Sequence, residues 1–101
     1  MNILIASPIS KRTIEKLRRK HNVICAFDAS EEQLISLVYD IEIIIFRNGI
    51  KISPKVIAAA PKLKFLIGAS SGSYNLDIDY AKTRGLQLIH IPNPGSKFFL
   101  N

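Results

Sequence analysis

Residues 41–46 read IEIIIF, and residues 51–61 read KISPKVIAAAP. The first run is apolar everywhere but at Glu42 and shows no polar alternation, the pattern of a central strand covered by helices on both faces. Glu42 belongs at its entry. In the second run Ser53 precedes Pro54, an N-cap ahead of a proline at the first helical position, and the helix through VIAAA must stop at Pro61. A buried strand followed by a short helix is therefore the unit from which the rest of the chain is read.

Toward the amino terminus, NILIAS (residues 2–7) is a strand ending at Pro8, and KRTIEKLRRKH (11–21) repeats Ile14 and Leu17 at helical spacing. Lys11, Arg12, Lys16, Arg18, Arg19 and Lys20 fill most other positions of that segment, which predicts one amphipathic helix with its charges outward. NVICAF (22–27) is a second strand. In SEEQLISLVYD, Ser30 and Gln33 form a capping box that starts a helix at Ser30. Toward the carboxyl terminus, KFLIGA (64–69) is a fourth strand, Asp77 caps a helix through IDYAKTR that ends at Gly85, and LQLIHI (86–91) is a fifth strand before Pro92. No repeat, low-complexity tract or linker interrupts this order. Strands and helices alternating over short connections predict an α/β fold: a flavodoxin-like, doubly wound, parallel five-stranded sheet in three layers, α/β/α.

With 101 residues, 48% of them hydrophobic, the chain can build one core and is expected to be one compact domain. A formal net charge of +6 suits phosphates, carboxylates or nucleic acid, and equally describes a solvated basic surface. Nucleic acid is not an expected partner, because the cations crowd an outer helix with no interleaved aromatics. The single cysteine, Cys25, excludes an internal disulfide, and its apolar neighbours predict a buried, inert thiol. No basic leader precedes NILIA and no apolar run approaches the ~18 residues of a membrane span, so a cytoplasmic, non-membrane protein is expected. No cluster of His, Cys or acidic residues has metal-ligand spacing.

In doubly wound sheets ligands gather outside the carboxyl ends of the strands. The loops there are SPIS, RNGIKI and GASSGSYN. Gly68, Ala69, Ser70, Ser71, Gly72 and Ser73 keep side-chain bulk low, so consecutive amides can form an anion-binding nest, and the serine hydroxyls add donors. Arg47, at the exit of the central strand, can offer a bidentate cation to the same anion, with Asn48 beside it. The alternatives are an ordinary glycine-rich turn for the loop and a surface arginine snorkelling past Phe46 for Arg47. His21 ends a basic helix and reads as a cation at its negative pole, and His90 lies in an apolar strand, so neither is expected to act as acid or base. A phosphate-accepting receiver domain shares this topology but needs an aspartate where Phe46 and Arg47 stand.

The segments NILIASPIS, SEEQLISLVYDIEIIIFRNGIKISPKVIAAAPKLKFL and GASSGSYNLDIDYAKTRGLQLIHIPNPGS together resemble the D-isomer-specific 2-hydroxyacid dehydrogenases, the family that includes phosphoglycerate dehydrogenase. AAPKLK (59–64), the small-residue loop running into NLDIDYA, and the TRG before the last strand carry the likeness most specifically. The resemblance implies an oxidoreductase family that uses NAD, with residues 1–96 forming most of its substrate-binding (catalytic) domain and residues 97–101 the start of an interdomain linker helix. It implies substrate-binding roles for Arg47 and Asn48 and, through backbone amides holding a 2-hydroxy or 2-oxo acid carboxylate, for Ser70, Ser71, Gly72 and Ser73. Asn75 and Asp77 match positions at the start of the next helix.

Three departures bear on substrate preference. Ser70 and Ser71 stand where many members have a glycine-valine pair, Tyr74 where an acidic residue is frequent, and Gly68 where a basic residue is frequent. The larger departure concerns the cofactor. The glycines are at 49, 68, 72, 85 and 95, and no three have the GxGxxG spacing of a dinucleotide turn. The family's catalytic arginine, glutamate and histidine have no counterpart here. The expectation is a truncated or partial dehydrogenase that binds no cofactor and transfers no hydride alone, completed by a homo-oligomer or a cofactor-binding chain in trans. The alternative is a stand-alone interaction module, supported by the apolar triplet Phe98, Phe99 and Leu100.

Overall fold

A computed structural model describes residues 1–47, 51–69, 75–76 and 78–91. Five parallel strands form the main sheet: β1 (Asn2–Ile5), β2 (Asn22–Cys25), β3 (Ile43–Phe46), β5 (Phe65–Ala69) and β7 (Gln87–Ile91), in the order β2-β1-β3-β5-β7. That is the flavodoxin-like order. Helices α1 (Lys11–Arg18), α2 (Glu31–Leu37), α3 (Pro54–Ala58) and α4 (Ile78–Thr83) fall in the connections. Two two-residue strands, β4 (Lys51–Ile52) and β6 (Asn75–Leu76), pair with each other in a separate parallel sheet that the residue pattern did not announce.

Local signals account for the helix ends. The Ser30 hydroxyl accepts from the Gln33 amide at 3.2 Å while the Gln33 side chain accepts from the Ser30 amide at 2.8 Å, the expected capping box. The Ser53 hydroxyl accepts from the Val56 amide ahead of Pro54. At the end of α4, Leu86 N–H donates to the Ala81 carbonyl and Gly85 N–H to that of Lys82, the paired bonds of a Schellman motif. Gly85 has the positive φ, 72°, that this motif needs. Asp77, expected to cap α4, lies outside the described residues.

Two apolar clusters sandwich the sheet. On one face Leu4, Ile44, Phe46 and Leu66 pack with Leu34 of α2, Val56 and Ile57 of α3 and Ala81 of α4. On the other, Ile3, Ile5 and Ile45 pack against Ile14 and Leu17 of α1. β3 is therefore covered on both sides, as its unbroken apolar run requires, and each fully buried aliphatic side chain contributes roughly 1.5–3 kcal/mol. Glu42 stands at the entry of β3. Its amide donates to the Asn2 carbonyl, and its own carbonyl accepts from the amides of Lys64 and Phe65, so it joins the starts of three strands.

The α1 side is only half covered. Ile67 and Ile89 are register partners on that face; Ile67 is half-buried and packs against the Ile3, Ile5 and Ile45 cluster, while Ile89 is 41% exposed. Cys25 corrects an expectation: the thiol is exposed. NVICAF is as apolar as a buried strand, but the sheet order places β2 at an edge, where one flank has no neighbouring strand among the described residues.

Candidate functional site

At the carboxyl ends of the central strands, the β1–β3 ladder closes with the Ala6 amide donating to the Ile45 carbonyl at 2.8 Å. One residue beyond Ala6 and two beyond Ile45, the Arg47 amide donates to the Ser7 hydroxyl at 3.0 Å. Ser7 is buried. A side-chain oxygen thus takes the place of the next ladder carbonyl just where Pro8 turns the chain away from the sheet. The Arg47 side chain is exposed, and its Nη1 reaches the Pro8 carbonyl at 3.4 Å, a long contact that leaves the other guanidinium donors available.

The loops after β3 and β5 are bracketed at both ends. They begin side by side, because Phe46 pairs in register with Gly68, and Gly68 is buried between Phe46 and His90 in the ladder. They end side by side, because Lys51 pairs with Asn75 and Ile52 with Leu76. Ile52 is fully buried and anchors this second junction. Asn48, Ser70, Ser71, Gly72 and Ser73 lie outside the described residues. Two features escaped the residue-by-residue reading: the Ser7 hydroxyl, marked in sequence only by its place before Pro8, and the β4–β6 pair, whose segments carry no strand signal of useful length.

Arg84, of the TRG segment, performs a structural task nearby. Its Nη1 and Nη2 donate to the carbonyls of Ile57 and Ala60 at 2.8 and 3.0 Å. These are carbonyls at and just beyond the end of α3, and the guanidinium fork ties the AAPKLK turn to the end of α4. His21 stands at the other end of the sheet, its Nδ1 3.1 Å from the amino group of Met1, far from the loops after β3 and β5. Among the described residues no group of His, Cys, Asp and Glu could hold a metal ion. A nicotinamide dinucleotide does not fit the turn between β1 and α1 either. Residues 7–10 read SPIS, without the glycines that let a pyrophosphate approach a helix N-terminus.

The family model for the D-isomer specific 2-hydroxyacid dehydrogenase catalytic domain matches residues 3–97. The chain belongs to this family. It is 36% identical over 93 residues to D-3-phosphoglycerate dehydrogenase of Archaeoglobus fulgidus, covering 91% of this chain and 18% of that protein. It is 28% identical over 96 residues to the enzyme of the same name from Methanocaldococcus jannaschii, covering 95% of this chain and 18% of that protein. The chain thus spans under a fifth of these relatives.

Solved structures agree on the fold. The PH0520 protein of Pyrococcus horikoshii superposes with a TM-score of 0.83 at 23% identity, over 89% of this chain and 27% of that one. The NAD+-bound 3-phosphoglycerate dehydrogenase of Entamoeba histolytica does so with a TM-score of 0.77 at 22% identity, over 89% and 32% respectively. No helix among the described residues is long and apolar enough to cross a membrane.

Proposed function

We propose that this chain is the substrate-binding part of an NAD-dependent D-2-hydroxyacid dehydrogenase and holds the carboxylate of a small 2-hydroxy or 2-oxo acid. Arg47 and Asn48 contribute the charged and amide donors. The backbone amides of Ser70, Ser71, Gly72 and Ser73 form the anion nest. The observation that supports this reading is that the two loops leave and rejoin paired strands side by side, Phe46 beside Gly68 and Lys51 beside Asn75. Residues 1–96 are the substrate-binding domain in this reading, and residues 97–101 begin a linker.

Hydride transfer falls to a dinucleotide-binding domain, joined to this chain or supplied in trans by a partner or a second copy. The half-covered α1 face at Ile67 and Ile89 supports completion by further polypeptide. A cytoplasmic location accords with the exposed thiol of Cys25 and the lack of disulfide pairing in a one-cysteine chain.

Amide-resolved NMR of the chain, titrated separately with 3-phosphoglycerate, glycolate, inorganic phosphate and NADH, tests this. The expected result is saturable shifts confined to Arg47, Asn48 and residues 68–73 with the two hydroxy acids, and none with NADH. Shifts of the same size with phosphate alone would reduce the site to a generic anion nest. No shift at Arg47 with either acid would overturn the reading.

A further inference from the structure

β2 forms the outer edge of the sheet opposite β7. The amides of Asn22 and Ala26 donate to the Met1 and Ile5 carbonyls beside it. Since alternate residues of a strand direct their backbone groups to opposite sides, Val23 and Cys25 turn theirs outward. Within NVIC there is neither a charge nor a proline, devices that commonly blunt an open edge.

The two flanks of this edge differ in chemistry. On the α2 side Ile24, Phe27, Leu37 and Tyr39 are 42%, 44%, 37% and 66% exposed. They line two adjoining grooves of about 290 and 320 Å³ that share Ser36 and Leu37. On the α1 side the Arg18 Nη2 lies 3.6 Å from the Cys25 sulfur, so a guanidinium reaches the edge strand itself. The segment that carries it, residues 11–20, reads KRTIEKLRRK, with Glu15 its one acid.

We propose that the open edge of β2 is a docking site for an extended segment of another protein, one that adds a strand there and alternates acidic with apolar residues. An added strand presents successive side chains to opposite faces. Its apolar positions enter the groove beside Ile24 and Leu37, while its carboxylates face Arg18 and the basic helix. The charge pattern selects such a partner over a second copy of this chain. Two-fold pairing of β2 with itself keeps each face on its own side and sets two cationic α1 helices next to each other.

The test uses a fluorescein-labelled peptide, Glu-Ile-Glu-Val-Glu-Ile-Glu, titrated with the chain and followed by anisotropy and amide exchange. Binding should saturate, weaken as salt rises, and slow exchange at the Val23 and Cys25 amides. Ile24→Lys and Arg18→Glu should each weaken it by about fivefold, the scale of one lost cross-strand contact. A peptide with Lys in place of Glu, which requires no protein variant, should bind far more weakly; equal binding overturns the proposal. So does concentration-dependent dimerisation of the chain that protects the same two amides, since it assigns the edge to a second copy.

Discussion

The buried Ser7 hydroxyl accepts the Arg47 amide at 3.0 Å, joining residues 40 positions apart in the chain. The bond lies just beyond the last β1–β3 ladder bond and holds the exit of the central strand, where Arg47 is proposed to bind the substrate carboxylate. It couples packing beneath the sheet end to the position of an exposed guanidinium.

Ser7→Ala leaves the Arg47 amide without its partner and should cost about 1–3 kcal/mol of stability. Arg47→Ala keeps that bond, since only the side chain is removed, and should leave the urea midpoint nearly unchanged while weakening 3-phosphoglycerate binding on the order of tenfold. Urea unfolding and ligand titration of both variants check the split. Equal loss of stability in both would make Arg47 a structural residue.

Arg84→Ala removes two charge-assisted bonds, to the Ile57 and Ala60 carbonyls, and should cost about 2–3 kcal/mol. Arg84→Lys should recover only part of this, because a point charge cannot span the Ile57 and Ala60 carbonyls as a planar fork does. Thermal unfolding of the two variants beside the parent decides it; full rescue by lysine would show that charge alone matters.

Gly85→Ala meets no atom within 4 Å of the added Cβ, so its cost is conformational. At φ 72° the loss should be about 1 kcal/mol, and Gly85→Asn should lose less, since asparagine enters the left-handed region more readily. Chemical denaturation of both, with an unchanged m-value, is the check.

Glu42 makes the acid limb of stability specific. The Asn2 amide donates to its carboxylate at 3.2 Å, and this bond, above all other causes, lowers its pKa below the ordinary glutamate value; Lys64 and the amino terminus act in the same direction, against burial. A carboxyl whose folded pKa is depressed stabilises the fold above its unfolded pKa and loses that contribution as pH falls through the folded one. Glu42→Gln should therefore flatten the fall in stability on the acid side while changing little between the two variants at pH values below both pKa values. Urea midpoints measured across the acid range read this directly.

Features that rest on neighbours in the chain were legible in sequence. Ser30 with Gln33, Ser53 before Pro54, and Gly85 after α4 each place a group within a few residues of the backbone atoms it serves, so residue order alone determined those helix ends. The apolar runs likewise determined the five main strands, and their alternation with helices determined the parallel sheet. The order β2-β1-β3-β5-β7 followed only as far as a known architecture supplied it.

Tertiary structure decided the rest. NVICAF and IEIIIF are nearly equal in apolar character, yet Cys25 is exposed and Ile44 is fully buried, because exposure depends on which strands lie alongside and not on a strand's own composition. Ser7 with Arg47, Arg84 with Ile57 and Ala60, and Lys51 with Asn75 are pairings across 24 to 40 residues. Such pairs leave no periodic trace, since a single hydrogen bond or a two-residue ladder forms only after the sheet has already set the distance between its ends.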